Sequence, residues 1–183
     1  MRPRIEGYAI VSREGMIAEA DGSFPKPLEV PADQKHYQSS VARAGGVVNG
    51  KSSAEGGPGE GGRKRLVLTR KVAGLAPDPR HPNVVLWNPQ GASFEEAWTR
   101  LGASGTAAVV GGTEVFGLFL DEIGYDSFYL SRNPASVPGG RPVFPGVGNG
   151  VGPEDLLRRH GYSVRETRVL DPATQTILEE WSR

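Results

Sequence analysis

The sequence has no cysteine, so disulfides, thiolate metal sites and thiol nucleophiles are excluded at the outset. It is also poor in histidine. His36, His81 and His160 are scattered and show no HExxH or comparable ligand spacing, so metal chemistry is not expected. Net charge is absent too: 21 Lys and Arg balance 21 Asp and Glu, which removes the basic field that drives sequence-independent binding to nucleic acid. No run of about 18 apolar residues occurs, and the opening MRPRIEGYAIVSREG lacks the apolar stretch of a signal peptide. These absences lead to the expectation of a soluble, cytoplasmic protein with a small-molecule partner, bound to neither membrane nor nucleic acid.

What is abundant points to a loop-rich α/β chain. Glycine (26) and proline (15) together exceed a fifth of the 183 residues, too many for a helical bundle. The length suits a single domain, residues 1–183, with a core of its own. Short apolar runs bounded by glycine, proline or charge read as buried strands: IEGYAIVS (5–12), GGVVN (45–49), RLVLT (65–69), NVVLW (83–87), TAAVV (106–110) and DSFYLS (126–131). Helical spacing lies between them, over Asp33 to Ala44, Ser93 to Leu101 and Glu114 to Leu120, with Ser93 an N-cap ahead of Glu95 and Glu96. The tail alternates apolar and polar residues in YSVRETRVL and TQTILEEWS around Asp171-Pro172-Ala173, the pattern of an antiparallel hairpin. AEGGPGEGG (54–62) is expected to be a mobile loop.

Three strand ends carry chemistry suited to phosphate. Val109 to Phe116, VVGGTEVF, places two glycines between a strand and a helix, where backbone can approach a ligand and free N–H groups face it. NGKSSAE, from Asn49, brings a cation and two hydroxyls after another strand, without the spacing of a Walker A loop. Thr69-Arg70-Lys71 ends a third. Each is equally compatible with packing or a solvated loop, but ligands of open α/β sheets collect at carboxyl ends of strands. Asp33 follows Pro31 at a helix start among apolar neighbours Leu28, Val30 and Tyr37. Such an Asp is either a simple cap or a carboxylate facing a dry pocket, where it can pair with an amidine-like edge and keep a raised pKa.

Taken in order, these segments resemble dihydrofolate reductase. Pro27 to Asp33, PLEVPAD, is similar to the family's P-x-x-x-P-A-D segment, whose Asp binds the pterin, and Tyr37 resembles the pocket aromatic that follows. Asn49 to Ser53 is similar to the strand-G-R-x-T cofactor segment, and GRKRLVLTR to G-R-x-x-I-V-L-S, which puts Arg63 where the family holds the folate glutamate. Gly111-Gly112 resembles the cis Gly-Gly turn, Tyr129-Leu130-Ser131 the LYLT segment, and Val143-Phe144-Pro145 the H-F-P segment. Departures are Leu28 for the family's tryptophan and Phe116 for a tyrosine. The opening RPRIEGYAIVSREGMIA also resembles that of riboflavin-pathway reductases, although Val110 stands where those enzymes have glutamate.

The resemblance implies a dihydrofolate reductase-like fold: a mostly parallel eight-stranded sheet with a C-terminal antiparallel hairpin, flanked by about four helices. It implies NADPH bound by Ala9, Ile17, Gly50, Lys51, Ser52, Ser53, Leu68, Thr69, Arg70, Val110, Gly111, Gly112, Thr113, Glu114, Val115 and Phe116. Substrate would lie on Ala9, Leu28, Asp33, Tyr37, Arg63, Val110 and Ser131, with the Ser131 hydroxyl on the Asp33 carboxylate. Asp33 would be catalytic, protonating N5 of dihydrofolate through water as hydride reaches C6, and the loop from Met16 to Leu28 would close over the site. Reduction of a ribosylaminopyrimidine or of dihydromethanopterin is the alternative activity, and an inactive nucleotide-binding protein the alternative of another class. Either a monomer or a homodimer fits.

Overall fold

The computed structural model describes residues 1–51 and 62–183. Strands β1 (Arg4–Val11) and β2 (Met16–Ala18) lead to helix α1 (Pro31–Arg43). Strands β3 (Gly46–Gly50), β4 (Arg65–Leu68), β5 (Leu75–Asp78) and β6 (His81–Trp87) precede α2 (Phe94–Leu101). Then come β7 (Thr106–Gly111), α3 (Thr113–Leu118) running into a π turn (Phe119–Ile123), β8 (Ser127–Arg132), β9 (Arg141–Pro142), α4 (Pro153–Arg159), β10 (Ser163–Asp171) and β11 (Thr176–Ser182).

Nine strands form one sheet in the order β10-β11-β8-β1-β7-β3-β4-β6-β5, one more than the eight expected. The addition is β5, an edge strand of sequence LAPD, antiparallel to β6. Its Pro77 is tolerated because at an edge one side of the strand has no ladder to complete. The five central strands β8, β1, β7, β3 and β4 and their neighbour β6 are parallel, while β11 joins β8 antiparallel and carries β10 as the hairpin. A separate two-stranded ribbon, β2 with β9, ties the segment after β1 to the segment after β8.

Both faces of the sheet are covered, as near-continuous apolar strands demand. On one face α2, α3 and α4 bury the larger core, with Trp87, Phe94, Phe116, Phe119, Phe128, Leu157 and Trp181 at most 2% exposed. On the other, α1 closes a smaller cluster of Tyr8, Val41, Val47, Ala108 and Val110. The α2 N-terminus is fixed as its sequence indicates: Ser93 Oγ accepts from the Glu96 N–H, and the Glu96 carboxylate accepts from the Ser93 N–H at 2.7 Å. β1 can lie flat on the large core because Gly7 has no side chain. A Cβ there would sit 2.3 Å from a Phe128 ring carbon.

Helix α4 is, like β2, β5 and β9, an element the sequence pattern did not disclose. Pro153 opens it, the Asp155 carboxylate accepts from the Gly152 N–H at 2.8 Å, and only seven residues follow before Gly161, too few for an apolar period to register.

Candidate active site

The carboxyl ends of β1, β3, β4, β6, β7 and β8 open into one cleft of about 1430 Å³. Clefts for a single small ligand run to about 1,000 Å³, so this one has room for two molecules side by side.

Asp33 stands at one end. Pro31 starts α1 at its first turn, which sets Asp33 at the positive end of the helix, 8% exposed and next to the apolar cluster of Ile10, Leu28 and Val30. Its carboxylate accepts a hydrogen bond from Ser131 Oγ on β8, as the resemblance implied. Burial pushes the Asp33 pKa up, and the Ser131 hydroxyl, which favours the charged form, pulls it partly back. The result is a buried carboxyl group with a raised pKa whose second oxygen remains for a ligand.

Beside it an aromatic floor forms. The Tyr8 and Tyr129 rings stack at 5.1 Å with 8° between planes, and the His36 ring tilts onto both at 6.0 and 5.7 Å. Tyr8 donates its hydroxyl to Glu6, and burial, then that bond, raises its pKa. Arg168 of β10 donates to His36 Nδ1 at 3.3 Å. Because a guanidinium can only donate, Nδ1 is the acceptor and the proton of the neutral ring sits on Nε2. Burial, with the nearby Arg168 and Arg43 cations, lowers the His36 pKa and keeps the ring neutral.

The middle of the cleft is the turn from β7 to α3. The Gly111–Gly112 peptide is cis, as the resemblance implied, and Gly111 has φ +127°, a conformation a side chain rarely adopts. Open space lies where a Gly112 side chain would be, so a ligand can reach the backbone. Phe116 lines the cleft here while packing edge-on against Phe128 at 5.6 Å.

At the far end Lys51 follows β3, and Thr69, Arg70 and Lys71 follow β4. Lys71 lowers the Lys51 pKa, first through side-chain contact and then by like-charge repulsion. Both lysines line the cleft at neighbouring strand ends, where two cations can face an anion. Arg70 lies 3.8 Å from Glu114, with both side chains largely exposed. Counting strand spacings of ~4.8 Å from β8 through β1, β7 and β3 to β4 puts this end about 14 to 19 Å across the sheet from Ser131, the partner of Asp33.

The cleft therefore brings together Ala9, Ile17, Asp33, Tyr37, Gly50, Lys51, Leu68, Thr69, Arg70, Val110 through Phe116, and Ser131. Ser52 and Ser53, with most of the loop expected to be mobile, lie outside the described residues. Two expected residues do not line it. Leu28 is fully buried in an apolar cluster with Ile10 and Val30. Arg63 precedes β4 at the opposite end of that strand from Leu68, beside Val47 at the start of β3. The sequence reading also left out Lys71, Tyr8, His36, Gln34, Gln38, Asn88 and Gln90, all of which line the cleft. Lys71 was visible as part of the basic strand-end cluster. His36, three residues after Asp33, was signalled by helical spacing alone, and Gln38 only by its spacing of four from Gln34.

An open, mainly parallel sheet with a cleft at its strand ends, a buried acid at one end and lysines and an arginine at the other defines an α/β protein with a ligand-sized site along its strand ends. No protein-family model and no curated protein sequence matches the chain. Solved structures do. A protein from Shewanella sp. PV-4 assigned to riboflavin biosynthesis superposes with a TM-score of 0.65 at 16% identity, covering 98% of each chain. Dihydrofolate reductase from Enterococcus faecalis, complexed with NADP(H) and RAB-propyl, gives 0.63 at 20% identity over 98% of this chain and 96% of that one. The diaminohydroxyphosphoribosylaminopyrimidine deaminase/5-amino-6-(5-phosphoribosylamino)uracil reductase of Thermotoga maritima gives 0.64 at 19% identity over 99% of this chain, which spans 56% of that bifunctional one. The chain thus has the dihydrofolate reductase-like fold.

Proposed function

We propose that the protein is an NADPH-dependent reductase of a dihydropterin, with dihydrofolate the first substrate to test. The observation that carries this reading is Asp33: a buried carboxyl group, oriented by Ser131, at the end of a cleft large enough for two ligands. A carboxylate so placed pairs bidentately with the 2-amino-4-oxo edge of a pterin, and its raised pKa suits delivery of a proton through water to N5.

The residues present fit the cofactor. Lys51 and Lys71 match a phosphate monoester, and the backbone exposed at Gly111 and Gly112 permits close approach midway along the cleft. When bound, the dihydronicotinamide supplies the hydride. Phe116, Val110 and Ala9 would line the part of the cleft where the two ligands meet, and the ribbon of β2 and β9 borders it. An uncharged wall excludes competing proton donors, leaving Asp33 to hold and pass the proton.

The alternative is reduction of a ribosylaminopyrimidine. It is supported by the likeness to one structure assigned to riboflavin biosynthesis and one of a phosphoribosylaminopyrimidine deaminase/reductase, and by the position of Arg63 away from the cleft. Both substrates present an amino-oxo edge to Asp33. The deciding experiment is NADPH oxidation with dihydrofolate and with the ribosylaminopyrimidine, alongside Asp33→Asn. Turnover lost in that variant establishes the reductase. NADPH binding without oxidation of either substrate overturns it in favour of a nucleotide-binding protein.

A further inference from the structure

The sheet has two outer strands, β10 and β5, and they are built differently. Strand β5 is four residues long and carries Pro77, two features that blunt an edge against another strand. Strand β10 is nine residues long without proline, and seven of the nine, Ser163 to Val169, are exposed. Among the described residues only four large apolar side chains are exposed, and two of them, Val164 and Val169, lie on this strand. Between bulges at Arg165 and Leu170 its ladder to β11 is regular over Glu166 to Val169, so the outer side of that run offers unpaired backbone N–H and C=O groups in strand geometry. Two charges on the run are also unanswered. Among the described residues Glu166 makes no ion pair, and Arg168 donates to His36 Nδ1 and to no carboxylate.

Residues opposite each other in an antiparallel pair point to the same face, so if β10 pairs symmetrically with a second copy, the two-fold axis passes through a residue and not between two. An axis at Glu166 sets two glutamates against each other, and one at Arg168 sets two arginines, both destabilising. An axis at Val169 puts Arg168 against Leu170 and carries Glu166 past the end of the strand. An axis at Thr167 opposes the two threonines and places Glu166 of each copy opposite Arg168 of the other, so both unanswered charges are matched, twice over. A guanidinium has five donors, enough to take that carboxylate and keep His36. We propose that β10 is the interface of a homodimer, in which two copies pair antiparallel about Thr167 and join their sheets into one.

One strand pairing is a small interface, so the dimer exchanges with monomer and its population rises with concentration. Sedimentation velocity over a concentration series of the full chain is expected to show this exchange. Glu166→Arg or Arg168→Glu alone turns both attractive pairs into like-charge pairs, and each is expected to raise the dimer dissociation constant at least about tenfold. The double variant Glu166→Arg with Arg168→Glu restores the pairs in reverse and is expected to return to within about threefold of the parent. Because the chain has no cysteine, Thr167→Cys gives a second reading: on the axis, oxidation joins two copies through a disulfide, whereas Ser163→Cys, at the start of the strand and away from the axis, links far more slowly. A chain that stays monomeric throughout the series overturns the proposal. A dimer that the single reversals leave as tight as the parent, a double variant as weak as the single ones, or Ser163→Cys linking as fast as Thr167→Cys overturns it equally.

Discussion

Ser131 on β8 donates its hydroxyl proton to Asp33 on α1, across 98 residues of sequence. The contact joins the helix on one face of the sheet to a central strand and orients a carboxyl group that burial alone would leave unpaired. Strand and helix propensities place each residue in its own element. Their meeting makes the acid usable.

Asp33 is buried at some expense to the fold. Its folded pKa is raised, so the fold favours the neutral acid, and stability falls as pH rises from the unfolded value of 3.8 through the folded one. At neutral pH the ionised group is a net cost. Asp33→Asn should therefore raise the melting temperature by a few degrees while lowering turnover by about a hundredfold or more, read by calorimetry and steady-state kinetics together. A variant that loses both stability and activity would mark Asp33 as a structural cap.

Removing the Ser131 hydroxyl should move a pH profile. Its hydrogen bond favours ionised Asp33, so Ser131→Ala raises the Asp33 pKa further. If Asp33 passes the proton, turnover declines as pH rises through that pKa, and in Ser131→Ala the decline shifts to higher pH. A profile that keeps its midpoint would exclude Asp33 as the titrating group.

Lys71 and Lys51 should discriminate between cofactors. Lys71→Gln is expected to raise the KM for NADPH about tenfold and leave that for NADH nearly unchanged, because only the first carries an added phosphate monoester. Equal effects on both would move the phosphate elsewhere along the strand ends.

Glu14 predicts an acid limb of stability. Hydrogen bonds from Ser136, the Val137 N–H and Ser12 hold its pKa at about 2, below the ordinary 4.5. A depressed folded value stabilises above the unfolded pKa, and that contribution disappears as pH falls from 4.5 through about 2. Melting temperature measured across this window should drop less in Glu14→Gln than in the parent.

Gly111→Ala tests the turn itself. With φ +127° an alanine is strained whatever space surrounds it, so the variant should lose activity and cofactor affinity together. Unchanged NADPH affinity in a folded Gly111→Ala protein would show that the cofactor does not depend on this backbone.

Much of the molecule was legible before any coordinates. The parallel strands declare themselves because a strand buried on both faces must be apolar throughout, as TAAVV and GGVVN are. Ser93 and Glu96 announce the start of α2, Asp33 behind Pro31 announces an acid at a helix mouth, and the double glycine announces a close backbone approach, since each signal lies within a few residues of its cause. What depended on partners distant in sequence was not legible. The strand LAPD exists because β6 offers it an edge, and the pairing of β2 with β9 spans more than a hundred residues. Leu28 and Arg63 fall away from the cleft while Lys71 and Gln38 enter it, because lining a cleft is decided by which way a strand end or helix face turns. Local sequence determined the elements and the chemistry available at their ends. Tertiary packing decided which of those groups face one another, because burial, hydrogen-bond partners and pKa all arise from neighbours that the chain brings together only by folding.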